Sequence, residues 1–356
     1  MKDHPILFIP GPTEVDAELR ELMSMPLVGH RSQGFVDTAQ EICTRLKKLF
    51  MTEQNVAFEN CPATALMEAS IRNLIKPGGR TLHLTNGAFS ERWAKISSAC
   101  GRKPESIQVP WGRAHNPWDL ESYLTKNSPF EAVMITHNET STGVLQPLKE
   151  LSKIIRKLFP NTLILVDVVT SLAGSELFFD EWEIDIAFAG TQKCLALPPG
   201  LCVYALSDRA LQVAGKIPDR GFLLDFTKAI PETNAGKTIA TPCVPLVYAL
   251  RRQLERIETE TLKARWSRHK SMREMVFQWA EKKNIQPFVD PKEACSYTVS
   301  CFQASGFDVK KMAESASQKG FKIDQGYGDL KGKTFRIGHM GDHSLETLKD
   351  CLKALL

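Results

Sequence analysis

The run Leu163-Ile-Leu-Val166, closed by Asp167, constrains this chain more than any other segment. Four consecutive apolar residues leave no polar face, so a strand here must be covered on both sides, as strands of a parallel sheet are. Similar short runs recur at Val56–Phe58, Thr81–Leu84, Ala132–Thr136, Ile184–Gly190 and Leu201–Ala205. They alternate with amphipathic stretches at Gln40–Leu49, Ala65–Ile75, Ser90–Ala99 and Leu148–Leu158. That alternation predicts an α/β fold with a mostly parallel sheet.

After Val247 the texture changes. One long charged helix is expected from about Tyr248 to Lys283, then strand-like pieces at Ser296–Gln303 and Thr334–Ile337, and a closing helix at Leu345–Leu356. A chain of 356 residues is long for one core. We therefore expect a large α/β domain over residues 14–247 and a smaller α+β domain over 248–356. The extended, Pro-containing segment 1–13 is expected to cross to the smaller domain or to a partner subunit.

A net charge of +4, with basic and acidic residues interleaved, argues against a dedicated nucleic-acid binder. The nine cysteines are odd in number, irregularly spaced and without a CxxC pair, which fits reduced thiols in a cytoplasmic protein. No secretory leader is expected at MKDHPILFIPGP, and no apolar run approaches a membrane span.

The chemistry concentrates in Leu163–Ala205. Asp167 ends one buried strand, and Thr191-Gln192-Lys193 follows the next, IDIAFAG. Ligands of open parallel sheets sit beyond the carboxyl ends of the strands, so Asp167 and Lys193 are candidates for one pocket. On spacing alone they are either a structural ion pair or the two ends of a cofactor site. In the second case the lysine forms a Schiff base with an aldehyde and the acid keeps a ring nitrogen protonated.

PGPTEV at 10–15, HRS at 30–32, THNETSTG at 136–143, the Asp167 strand and GTQKCLALPPG at 190–200 occur in that order. Together they resemble the class V pyridoxal-phosphate aminotransferases, in the alanine–glyoxylate / serine–pyruvate (serine–glyoxylate) branch. The resemblance covers nearly the whole chain. It implies the fold-type-I architecture, pyridoxal 5'-phosphate as cofactor, and a homodimer with shared active sites. It implies ping-pong amino transfer from alanine or serine to glyoxylate or pyruvate.

Carried over by position, Lys193 matches the Schiff-base lysine and Asp167 the partner of the ring nitrogen. Val169 and Phe89 match residues on opposite faces of the ring, Thr140 the hydroxyl near its phenolic oxygen, and Gln192 a phosphate contact. The phosphate turn departs from the family's glycine-rich form. Here it reads Asn60-Cys61-Pro62-Ala63-Thr64, and Pro62 lacks an N–H, so the contacts fall to Ala63 and Thr64 at a helix start. Arg336 matches the arginine that grips the substrate carboxylate, where a planar fork suits two oxygens. Thr238 and Thr241 match positions that reach the neighbouring subunit's phosphate.

Competing readings are another class V reaction, such as desulfuration or phosphoserine transamination, a catalytically silent subunit, and an unrelated α/β binding protein. Desulfurases of the class carry a histidine where Phe89 stands. Gly236-Lys237-Thr238 lacks the first glycine of a phosphate-binding P-loop, that place being Pro231. Asn138-Glu139-Thr140 is formally a glycosylation sequon. His339 and His343 are separated by Gly341, so no metal site is expected, and Cys194 reads as a small core residue.

Overall fold

The computed structural model describes residues 4–355. Seven strands form the central sheet: β1 (Asn55–Glu59), β2 (Arg80–Thr85), β3 (Lys103–Gln108), β4 (Ala132–Thr136), β5 (Leu163–Asp167), β6 (Ile186–Gly190) and β7 (Cys202–Leu206). Their order across the sheet is β1-β7-β6-β5-β4-β2-β3. The strands pair in parallel except β7, which runs antiparallel to both neighbours.

Side-chain alternation divides each strand between two cores. Ile164, Val166, Val133, Ile135, Val203 and Ala205 face one cluster, with apolar residues of helices Gln33–Phe50, Leu148–Leu158 and Val244–Glu260. Leu165, Met134, Phe188 and Tyr204 face the other, with helices Ala63–Leu74 and Phe226–Asn234. Burial on both faces is what the unbroken apolar runs require. β3, KPESIQ, is the strand that the sequence reading passes over. It lies at the sheet edge with mixed exposure, so nothing selects for an apolar pattern there.

The single long helix expected from Tyr248 to Lys283 is instead two. Val244–Glu260 ends at Thr261, which takes φ 69°, and Leu262–Lys282 follows, with Thr261 Oγ1 accepting the Ala264 N–H. The two helices serve different cores. Leu250, Leu254 and Ile257 belong to the first sheet cluster. Met272, Val276 and Ala280 join a third cluster, with Phe302 of β8 (Val299–Gln303), Phe335 of β9 (Thr334–Gly338) and Leu348 of the closing helix Leu345–Leu355. Charge patterning is continuous across Glu260–Leu262, so the break leaves no trace in composition.

The N-terminal segment crosses into that third cluster. Ile6–Leu7 pairs in parallel with Phe321–Lys322, Phe8 is fully buried, and the Gly338 N–H donates to the Phe8 carbonyl. A Cβ on Gly338 would lie 2.3 Å from the Ile9 carbonyl oxygen, so the crossing needs glycine there. Residues 1–3 lie outside the described residues.

Asp185, immediately before β6, is fully buried. It accepts from the Ile164 N–H at 2.8 Å, from Ser207 Oγ at 2.8 Å, and from Arg156 and Arg209. It thereby ties β5, β6 and two flanking helices at the end opposite the candidate site. Asp185→Ala strands the nearly buried Arg156 without its anion, so the unfolding free energy should fall by about 3 kcal/mol. Denaturant midpoints at unchanged slope measure this; a loss below about 0.5 kcal/mol would contradict it.

Candidate active site

β5 and β6 are adjacent and parallel, with Asp167 opposite Phe188 in register. β5 delivers the Asp167 carboxylate at its carboxyl end, and β6 leads through Thr191 and Gln192 to Lys193. Both side chains are withdrawn from solvent, at 4% and 9% exposure. Burial pushes Asp167 up to about 7, against the opposing pull of the Val169 N–H and the Lys193 and Arg92 charges. Burial draws Lys193 down to about 8, and the Arg336 charge adds to that effect. Asp167 Oδ1 takes the Val169 N–H at 2.8 Å, and no side chain pairs with this carboxylate among the described residues.

The crossing N-terminal segment closes over the lysine. Lys193 Nζ donates to the Pro10 carbonyl, and the Thr13 N–H donates to the Gln192 carbonyl at 3.0 Å. Gly11 has φ 115°, and a Cβ there would lie 2.6–2.7 Å from Lys193 Cδ, Cε and Nζ. Only glycine meets both conditions.

Arg336 enters from β9, at 4% exposure. Its Nε donates to Asp324 Oδ1 at 2.8 Å and its Nη1 to the Thr140 carbonyl at 2.7 Å. Thr140 Oγ1 lies 2.6 Å from Thr170 Oγ1, which links this corner to the turn after Asp167. Phe89 stacks on Tyr327 with centroids 5.5 Å apart; Arg92 lies over the Phe89 ring and Arg336 over the Tyr327 ring. Val169 is half-buried against the second sheet core. The chain thus brings Lys193, Asp167, Val169, Thr140, Phe89 and Arg336 to one end of the sheet.

Ala63 and Thr64 open helix Ala63–Leu74, whose Pro62 N-cap supplies no side-chain bond. Their N–H groups have no acceptor among the described residues, as an anion site at a helix start requires. Cys202 Sγ–H donates to the Cys61 carbonyl at 3.0 Å and anchors the turn to β7. The Gln192 amide folds over Gly190, where a Cβ would lie 2.4 Å from its Oε1. Thr238 and Thr241 are set apart. They line a separate cavity with His30 and Arg31, and Thr241 meets this region only through its carbonyl, which accepts from Asn60 Nδ2 at 3.0 Å.

Three residues absent from the sequence-level candidates build the site. Glu139, fully buried, accepts the Phe89 and Ser90 N–H groups at 3.1 and 2.9 Å and the Ser141 hydroxyl at 2.6 Å, fixing the backbone that carries Phe89. Asp324 and Tyr327 orient Arg336 and Phe89 from a loop with no periodic pattern. Cys194 is buried, its thiol pushed up to about 12, and donates to the Thr170 carbonyl at 3.2 Å, a packing role. His339 Nε2 meets Ser300 Oγ at 2.9 Å, while His343 stacks on Phe8 and reaches the Leu7 carbonyl.

A desolvated amine, an unpaired buried carboxylate and an open helix start define an enzyme built for an anionic cofactor with an aldehyde and a basic ring nitrogen. The aminotransferase class-V family model matches residues 19–329. The serine–glyoxylate aminotransferase of Methylorubrum extorquens is 31% identical, covering 94% of this chain and 86% of its own. A Synechococcus protein named soluble hydrogenase, small subunit, is 32% identical over 100% and 94%. The crystal structure of alanine–glyoxylate aminotransferase from Nostoc sp. superposes with a TM-score of 0.93 at 29% identity, covering 100% of this chain and 95% of that one. The chain belongs to the class V aminotransferases. It is a transaminase with the fold-type-I architecture, and pyridoxal 5'-phosphate is the cofactor that this pocket fits.

The lysine must be neutral to attack an aldehyde, so cofactor uptake by the apoprotein should accelerate with pH and level off above about 8. Stopped-flow absorbance against pH checks this. An acceleration continuing to the ordinary lysine value of 10.5 would show that the amine is not desolvated as described.

Proposed function

We propose that this chain carries pyridoxal phosphate on Lys193 and transfers an amino group from alanine or serine to glyoxylate or pyruvate. The observation that carries the reading is the joint burial of Lys193 and Asp167 beyond adjacent parallel strands, with Arg336 on the same side. Relatives named for transfer to glyoxylate support the acceptor.

When bound, the cofactor supplies an electron sink for the carbanion left at the amino acid's α-carbon. Asp167, whose charge burial disfavours, would regain it beside a basic ring nitrogen and keep that nitrogen protonated. Phe89 and Val169 would pack against the ring, and the Thr140 hydroxyl would serve its oxygen substituent. The N–H groups of Ala63 and Thr64, with Gln192, would hold the phosphate. Arg336 binds the α-carboxylate, its fork already oriented by Asp324 and the Thr140 carbonyl. Burial that draws Lys193 down to about 8 favours its neutral ε-amine, the form that would take the α-proton and return it.

We also propose a homodimer in which Thr238 and Thr241 serve the partner's phosphate; their separation from the chain's own Lys193 supports it. The two domains are proposed to divide at Thr261, where the helices change core, and not at 247/248. A cytoplasmic location is supported by nine free thiols, and among the described residues no helix is long and apolar enough to cross a membrane.

Purified holoenzyme should convert glyoxylate to glycine with alanine or serine as donor, and Arg336→Lys should raise KM for the donor at least about tenfold. Amino-acid analysis and initial rates check both. No glycine from either donor with glyoxylate, together with no alanine from serine and pyruvate, would refute the substrate assignment, and an unchanged KM would refute the role of Arg336.

A further inference from the structure

Tyr327 stands between two guanidinium groups. Arg336 lies over its ring, with Cζ 5.5 Å from the centroid, and Arg92 Nη2 donates to its hydroxyl at 3.0 Å. Phe89 stacks on the same ring, the two planes inclined by 26°. Packing of this kind asks only for the ring, which phenylalanine would supply equally well. The hydroxyl is a separate feature.

The loop that presents Tyr327 is fixed by the same acid that fixes Arg336. Asp324 Oδ1 accepts the Gly326 N–H at 2.9 Å as well as Arg336 Nε at 2.8 Å. Gly326 has φ 93°, and a Cβ there would lie 2.4 Å from the Leu330 carbonyl oxygen, so the turn requires glycine. Tyr327 is thereby held in a set relation to the arginine assigned to the α-carboxylate.

Arg92 is half-buried, and among the described residues it has no carboxylate partner and no hydrogen bond besides the one to Tyr327. Its charge also bears on Asp167, so it stands close to the same pocket. A phenol oxygen that accepts from a guanidinium is polarised as a donor, and the Tyr327 O–H has no acceptor among the described residues. An amino acid gripped by its carboxylate on Arg336 lies beside this free O–H. The methyl group of alanine offers it no acceptor, whereas the hydroxyl of serine does. A side-chain carboxylate would bring a second negative charge beside Asp324, the acid already paired with Arg336.

We propose that Tyr327 is a specificity-determining residue, which hydrogen-bonds the donor's β-hydroxyl and favours serine over alanine. This rests on the reading of Arg336 as the carboxylate site and of alanine and serine as donors, and it adds a preference between the two.

The test follows the first half-reaction alone. Holoenzyme is mixed with serine, alanine or aspartate in the absence of any keto acid, and the second-order rate constant is read from loss of the cofactor's visible absorbance. Wild type and Tyr327→Phe are compared, the absorbance before mixing confirming that each is folded and loaded. Serine should react at least about tenfold faster than alanine with the wild type, and the ratio should fall to about one in Tyr327→Phe. Equal losses with both donors, leaving the ratio unchanged, would show that Tyr327 acts only by packing and would overturn the proposal. A wild type that takes alanine as fast as serine, or aspartate faster than either, would overturn it too. The expected ratios without glycine formation once glyoxylate is added would refute the acceptor alone and uphold the role of Tyr327. No absorbance loss with any of the three donors would refute both.

Discussion

Withdrawing an amine and a carboxylate from water at the same end of a sheet is costly, and much of the molecule is arranged around that cost. The expense is borne by two hydrophobic cores. Parallel strands whose alternate residues are both buried, such as Val166 and Leu165, carry Asp167 to a point where, among the described residues, only the Val169 N–H is offered to it. The resulting shifts move Asp167 and Lys193 toward each other, to about 7 and about 8. Groups in that range exchange protons near neutrality, which an exposed aspartate and lysine do not.

The third core contributes Arg336 and the segment that covers Lys193. Phe8 and Ile6–Leu7 dock on β9 and the strand at Phe321–Lys322, and this places Pro10 and Gly11 against Lys193. Arg336 arrives from β9 itself, beside the Gly338 contact that fixes the crossing segment. The position of Arg336 and the cover over the lysine therefore depend on one docking event. A displaced N-terminal segment would disturb both.

What was legible in the sequence follows from what leaves a local trace. Strands buried on both faces announce themselves as apolar runs, and Lys193 and Asp167 could be found because each follows such a run. The edge strand Lys103–Gln108 could not, since its mixed exposure permits Pro104 and Glu105. The turn at Thr261 was invisible because the charged surfaces of its two helices are alike. Glu139 was hidden inside a sequon, for a carboxylate capping a helix 49 residues earlier has no local signature. Asp324 and Tyr327 likewise act through tertiary contact alone. The proposed role of Thr238 and Thr241 rests on resemblance and needs a second copy of the chain, whereas Ala63 and Thr64 needed only the recognition of a helix start.

The central claim is that the cofactor is held by Lys193 and by no other of the chain's lysines. Borohydride reduction of the holoenzyme, digestion and peptide mass mapping tests it directly. The account predicts a single phosphopyridoxyl adduct, on the peptide containing Gln192-Lys193-Cys194. An adduct on another lysine, or none in a protein that retains its visible absorbance until reduced, would contradict it.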